Sequence, residues 1–123
     1  MSAPDKHSIA LEFLHHARAG ERAEAARLCT PDARHHNPYF PAGMPALLDG
    51  IVAAAKATTD HSIDVKHVLA YGDYAAVHSY VPRAGEPGIA VVHLFRFEGD
   101  RIAELWDVGQ MIPTDMKNAD GMF

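Results

Sequence analysis

The hydrophobic residues of this chain change their spacing near residue 60. Before that point they recur every three or four residues, as along one face of an α-helix. After it they alternate with polar residues, as along a β-strand. The sequence therefore predicts helices first and strands second.

Three helices are predicted in the N-terminal half. Asp5 or Ser8 can cap the first helix, and Gly20 is well placed to end it in a left-handed turn. The second helix covers residues 21–29. The third runs from residue 44 to about residue 58, with apolar residues at every third or fourth position.

Four antiparallel strands are predicted in the C-terminal half, at residues 63–69, 74–81, 89–97 and 101–110. In the first strand, Ile63, Val65, His67 and Leu69 alternate with their neighbours. A tight turn is expected at residues 71–73, and a long loop over residues 82–88. A short extra strand within residues 32–37 is expected to complete the sheet. Helices and strands grouped in this order indicate an α+β fold, with the helices on one face of the sheet.

The size and charge of the chain restrict its function. Its 123 residues allow one domain, residues 1–123, with one core. A net charge of -5 supplies no basic stripe for nucleic acid, and no apolar run approaches the roughly 20 residues that cross a bilayer. The single cysteine, Cys29, cannot form an internal disulfide, and the polar segment Met1–Lys6 does not resemble a signal peptide. A cytoplasmic protein that binds neither nucleic acid nor membrane is expected.

Four segments resemble the SnoaL-like proteins of the NTF2-like superfamily, which includes polyketide cyclases and ketosteroid isomerases. They are residues 35–38 (HHNP), 72–78 (GDYAAVH), 91–96 (VVHLFR) and 102–110 (IAELWDVGQ). The resemblance implies a cone in which N-terminal helices pack on a strongly curved, mostly antiparallel sheet and enclose an apolar pocket. It also implies a homodimer that pairs sheet to sheet, here through the face that carries Val92, Leu94 and Trp106.

The resemblance implies that Asp107 is a catalytic base and that His93 assists it. Alternation groups His93 with Val91 and Phe95, and such apolar neighbours would lower its pKa, whereas a nearby carboxylate would oppose that shift. The face occupied by Asp107 stays open, because the last strand has apolar residues on both faces and a bulge would change the alternation.

Further residues are expected around the pocket. His36 is expected to orient substrate or to bind Asp107, and Asn37 to cap the adjacent turn. His78 or Tyr80 is expected to donate a hydrogen bond to a developing enolate oxygen. His35 is expected to be exposed, together with His7, His15, His16 and His61. The apolar residues expected to line the pocket or to pack in the core are Phe40, Met44, Leu48, Phe95 and Trp106.

These residues predict a cofactor-independent acid–base enzyme that acts on a small hydrophobic carbonyl compound, by aldol cyclisation or isomerisation. The alternatives are a binding protein that holds a hydrophobic ligand, and a dehydratase or hydrolase in which Asp107 activates water. No metal site is expected, because no HxH, HxxxH or CxxC spacing places two candidate ligands on one rigid face.

Overall fold

The computed structural model describes residues 5–123, so the first four residues of the segment Met1–Lys6 lie outside it. Helices precede the main sheet, as predicted, and one strand lies between the second and third helices. The elements in chain order are α1 (Lys6–Arg18), α2 (Arg22–Arg27), β1 (Cys29–His35), α3 (Met44–Lys56), β2 (Asp64–Tyr71), β3 (Tyr74–Arg83), β4 (Glu86–Glu98) and β5 (Arg101–Met111).

The first helix begins and ends where its residue types predict. The Asp5 carboxylate accepts a hydrogen bond of 2.8 Å from the backbone N–H of Ser8, which satisfies one free donor of the first turn. After the helix ends, Gly20 adopts a φ of +76°, a conformation that favours glycine. Ile9 and Phe13 lie on the buried face of this helix.

The five strands form one sheet in the order β1-β5-β4-β3-β2. Strands β2 to β5 are antiparallel neighbours, and β1 runs parallel to β5. The extra strand expected within residues 32–37 exists, but it spans Cys29–His35. The helices and this curved, mixed sheet form the expected α+β cone.

Two details of the sheet differ from the prediction. A bulge between Val65 and His67 in β2 adds a residue, which moves His67 and Leu69 to the face opposite Val65. The predicted loop over residues 82–88 is a hairpin, because β3 continues to Arg83 and β4 begins at Glu86. Gly85, with a φ of +74°, allows the tight turn between these strands.

The two faces of the sheet have different surroundings. The inner face packs on the helices, and Phe95 on this face meets Phe13 of α1 edge to face, with ring centroids 5.8 Å apart. No helix within residues 5–123 covers the outer face, which bears Leu69, Tyr74, His78, Val92, Leu94, Trp106 and Val108. Within the described residues, no helix is long and apolar enough to cross a membrane.

Candidate active site

His93 and Asp107 are direct cross-strand partners on the inner face. His93 lies in β4 and pairs with Asp107 in β5, and the neighbouring pair on the same face is Phe95 and Leu105. The His93 Nε2 atom lies 3.7 Å from Asp107 Oδ1. The two side chains are 13% and 24% exposed, so both lie at the edge of the core with limited access to water.

A bulge in β5 determines which face Asp107 occupies relative to the start of the strand. Arg96 pairs with Glu104 and Phe97 pairs with Ile102, which leaves Ala103 as an extra residue in β5. Ile102 and Asp107 therefore share the inner face although they are five residues apart. This register answers the question that strict alternation leaves open.

Asn37 holds the Asp107 carboxylate from the end of β1. Its Nδ2 donates a hydrogen bond of 2.9 Å to Asp107 Oδ2, and its Oδ1 accepts one of 2.9 Å from the backbone N–H of Tyr39. Asn37 thus caps the turn, as expected, and also orients Asp107. One carboxylate oxygen is engaged by Asn37, and the other faces His93.

His36 points to the outer face and does not contact Asp107. Its Nε2 is 2.6 Å from Glu104 Oε2, and its ring stacks on Trp106 at a centroid distance of 5.1 Å. The role expected for His36 beside the base is therefore corrected: its alternation with Asn37 along the chain places the two side chains on opposite faces of the sheet.

Burial lowers the pKa of His93 below its ordinary value, and the negative charge of Asp107 opposes that shift. The imidazole is thus favoured in its neutral form at neutral pH. Its Nδ1 atom is buried and has no hydrogen-bond partner among the described residues. The same is true of Ser79 Oγ, on the inner face of the neighbouring strand.

His78, Tyr80 and Trp106 also lie on the outer face, away from His93. In β3 the alternation buries Val77 and Ser79 on the inner face, so His78 and Tyr80 point the other way. His78 Nδ1 contacts His67 Nδ1 at 3.0 Å, and the Tyr80 hydroxyl donates to the Pro87 carbonyl at 3.1 Å. The structure does not bring these side chains together with Asp107.

The apolar candidates belong to the interior. Met44, Leu48 and Phe95 are buried in the core, and Phe40 packs against it. Two surface depressions lie away from Asp107. One, of about 600 Å³, is beside the start of α1, and the other, of about 300 Å³, is on the outer face beside His67 and His78.

The other histidines differ in exposure. His15 and His61 are exposed, as expected, and His7 and His16 are partly buried. His35 is buried, contrary to expectation, because β1 pairs with β5 and directs its side chain inward. There its Nε2 lies 2.7 Å from the Pro41 carbonyl oxygen, which ties the segment after β1 to the core.

Glu104 is a buried charged residue that the sequence prediction missed. It is 7% exposed, and its carboxylate accepts hydrogen bonds from Arg34, His36 and Arg96. The His36 hydrogen bond, followed by that of Arg96, lowers the pKa of Glu104, against the opposing effect of burial. A lone acidic residue in the apolar run of residues 102–106 was the available signal.

Ser79 was also missed. Ser79 shares the inner face of β3 with the apolar residues Ala75 and Val77, and its side chain, which carries a hydroxyl group, is 0% exposed. Its position in the alternation with those residues could have identified it. Across residues 5–123, no group of three or more histidine, cysteine, aspartate or glutamate side chains is arranged to hold a metal ion.

The chain matches the model of the SnoaL-like domain over residues 10–105. This match includes His93 and ends two residues before Asp107. No curated protein matches the chain in sequence.

Solved structures share the fold at low sequence identity. An NTF2-like protein of unknown function from Cytophaga hutchinsonii superposes with a TM-score of 0.72 at 14% identity, covering 89% of this chain and 93% of its own. A provisionally assigned ketosteroid isomerase from Kribbella flavida gives 0.72 at 16% identity, covering 92% and 83%. AclR, a provisionally assigned hydroxylase from Streptomyces galilaeus, gives 0.71 at 20% identity, covering 88% and 80%.

These structural matches show the fold, and the domain match extends over most of the described chain. Together with the order of the helices and the curved five-stranded sheet, they identify the protein at the level of its family. The chain belongs to the SnoaL-like family and has the NTF2-like fold.

Proposed function

We propose that this protein is a cofactor-independent enzyme that removes a proton from the carbon next to a carbonyl group of a small hydrophobic compound. The observation that supports this proposal is the cross-strand pairing of Asp107 with His93 on the inner face. A carboxylate base and a neutral imidazole, both largely withdrawn from water, form a suitable pair for this step.

Asp107 is the base in this mechanism. Asn37 engages Oδ2 and thereby fixes the carboxylate, while Oδ1 remains available on the side of His93. The proton moves from the α-carbon to Asp107, and the electron pair of the broken C–H bond forms the C=C bond of an enolate. The negative charge of the substrate then resides on its oxygen.

His93 stabilises that oxygen. The carboxylate near Nε2 favours the imidazole tautomer with its proton on Nε2, because a negative charge attracts an N–H dipole. This Nε2–H can donate to the enolate oxygen, since the 3.7 Å separation from Asp107 is too long for a hydrogen bond between the two side chains. The lowered pKa of His93 keeps the imidazole neutral in this role.

Isomerisation and aldol cyclisation both proceed from this enolate. In isomerisation, protonated Asp107 returns the proton to a different carbon of the substrate. In cyclisation, the enolate carbon attacks a second carbonyl of the same molecule, and the new alkoxide takes up the proton held by Asp107, which restores the base. The ketosteroid isomerase assignment of one structural neighbour agrees with this reaction class.

The experiment follows α-proton exchange, which requires no knowledge of the natural substrate. 2-Tetralone is incubated with the protein in D₂O containing EDTA, and the loss of its α-proton signals is measured by ¹H NMR. Asp107→Asn should reduce the catalysed rate at least about 100-fold, because the proton acceptor is lost. Asp100→Asn, an exposed carboxylate in the β4–β5 turn, is the matched control and should retain the wild-type rate.

Two outcomes would contradict the proposal. Equal exchange rates in Asp107→Asn and wild type would exclude Asp107 as the base. Binding of 2-tetralone by the wild type without any exchange above the buffer rate would favour a binding protein for hydrophobic ligands. A hydrolase or dehydratase would instead show product formation from an ester, epoxide or hydroxy compound without α-deuteration.

The outer face supports a second part of the proposal, a two-fold homodimer. Leu69 is 67% exposed, Val108 is 65% exposed and Val92 is 40% exposed. A patch of this kind is costly to leave in water. A second copy of the chain, related by a two-fold axis, would cover it, and such a pairing leaves the inner face with Asp107 unaffected.

A further inference from the structure

Ser79 lies on the inner face beside the proposed catalytic pair. It pairs with Val91, and the next inner-face pair along the same two strands is Val77 and His93. Ser79 and His93 are thus diagonal neighbours on adjacent antiparallel strands, with Cα atoms about 7–8 Å apart. The two side chains therefore lie on the same face of the sheet, on neighbouring strands.

Both side chains present a buried polar atom toward the interior without a partner among the described residues. These atoms are Ser79 Oγ and His93 Nδ1, and Ser79 is 0% exposed. Buried hydroxyl and imidazole groups normally form hydrogen bonds, because an unpaired polar group loses its interaction with water and gains nothing in return. Two such atoms on one face of neighbouring strands point to a shared hydrogen-bonding partner outside residues 5–123.

The chemical class of that partner follows from the two atoms. With the proton of His93 on Nε2, facing Asp107, Nδ1 carries a lone pair and accepts a hydrogen bond. The Ser79 hydroxyl can donate one. A hydroxyl group, of a substrate or of a water molecule that the substrate displaces, donates to His93 and accepts from Ser79 at the same time, whereas a carbonyl oxygen can only accept.

We infer that Ser79 Oγ and His93 Nδ1 form a subsite that binds a hydroxyl group of the substrate. This inference rests on the proposed function, because it assigns the two nitrogens of His93 to two parts of one molecule. Nε2 faces the carbonyl and Asp107, and Nδ1 faces the hydroxyl. The two nitrogens of an imidazole point in different directions, so the substrate is a hydroxy-ketone whose hydroxyl lies several bonds from its carbonyl.

Ser79 is the residue of β3 that we assign to substrate binding, in place of the hydrogen-bond donors expected from the sequence. His78 and Tyr80 were expected to serve the substrate, but the strand directs both to the outer face. Ser79, between them in the chain, occupies the inner face. A one-residue step along a strand reverses the direction of the side chain, which explains the exchange of roles.

The test compares equilibrium binding of 2-tetralone with that of its 5-, 6-, 7- and 8-hydroxy derivatives. Dissociation constants are measured by calorimetry on wild type, Ser79→Ala and Ser79→Cys. Wild type should bind one hydroxy isomer at least about tenfold more tightly than 2-tetralone. In both Ser79 variants this preference should fall below about threefold, while the affinity for 2-tetralone itself stays the same. Ser62→Ala, at an exposed serine, is the control and should keep the preference.

The melting temperature separates binding from a structural role. Removing an unpaired hydroxyl should leave the stability of Ser79→Ala unchanged or raise it. A clear fall in melting temperature with an unchanged hydroxyl preference would overturn the inference. So would a wild-type protein that binds all five ketones equally or binds none of them.

Failure of this inference can be distinguished from failure of the proposed function. Asp107→Asn reports proton removal through α-deuteration, whereas the Ser79 variants report binding at equilibrium. Exchange that depends on Asp107, without any hydroxyl preference, would leave the reaction in place and reject the subsite. A hydroxyl preference that depends on Ser79, with exchange independent of Asp107, would retain the subsite and reject the base.

Discussion

Adding one methyl group at Gly50 should destabilise the protein, although the same change usually stabilises a helix. Gly50 lies in α3, and the ring of Phe40 packs directly over it. A Cβ atom at this position would lie 2.6 Å from Phe40 Cδ1 and 3.0 Å from Cζ, which forces the ring to move. The close contact therefore requires glycine here.

The magnitude comes from two opposing effects. Replacing glycine by alanine inside a helix contributes about 0.8–1.0 kcal/mol of stability. Forcing a packed side chain out of its site costs about 1–3 kcal/mol. Gly50→Ala should thus lower the free energy of unfolding by up to about 2 kcal/mol. In a Phe40→Ala background the ring is absent, so the same Gly50→Ala change should raise the free energy of unfolding by about 0.8–1.0 kcal/mol.

The assay is a double-mutant cycle measured by urea unfolding of wild type, both single variants and the double variant. Ala53→Gly, at an exposed position of α3, is the control that measures the helix effect alone. The slope of the unfolding free energy against urea concentration should be the same in all five proteins, so that differences in the unfolding midpoint report differences in stability. A Gly50→Ala variant that is more stable than wild type, or the same Gly50→Ala effect with and without Phe40, would refute the placement of the ring over α3.

Two further predictions concern titration and assembly. Burial lowers the pKa of His93, so the folded protein binds a proton there less readily than the unfolded chain does. The contribution of neutral His93 to the free energy of unfolding is fully present above about pH 6.5, the pKa of histidine in the unfolded chain. It is lost as the pH falls through the lower pKa of the folded protein. His93→Gln should accordingly weaken the decline in unfolding free energy between pH 7.5 and 5.5, and a decline identical to wild type would contradict the shift. Wild type should sediment as a dimer at micromolar concentration and Val92→Lys as a monomer, with Ala53→Lys as the control; a monomeric wild type would exclude pairing through the outer face.

The spacing of apolar residues was sufficient to predict the main features of the fold. Ile9 and Phe13 define the buried side of α1 without any knowledge of their partners, because a helix has a single regular period. The inner position of His93 followed in the same way from its alternation with Phe95. Regular elements are predictable since each residue repeats the geometry of the one before it.

The predictions that were wrong concern positions where this regular geometry is interrupted. The bulges near Val65 and at Ala103 add a residue to one strand only, and they are defined by the register with a neighbouring strand, which the sequence of one strand does not show. The faces of β2 and β5 could therefore not be derived from alternation. Asn37, and not His36 as expected, contacts Asp107 for a similar reason, because the faces of these residues depend on how β1 lies beside β5.

The alternation of side chains in β5 limits where insertions and deletions can occur among proteins related to this one. Trp106 faces the outer surface and Asp107 the inner one, so a one-residue deletion before Trp106 that kept the bulge at Ala103 would exchange the two side chains and damage both surfaces in a single event, whereas loss of Ala103 itself would remove the bulge and leave both side chains in place. Point substitutions on one face carry no such penalty for the other. Insertions are accommodated at the turns, where Gly72 and Gly99 have no heavy atom near an added Cβ. Natural length variation should consequently concentrate in the hairpin turns and at the bulge, while residues 104–107 remain constant in number.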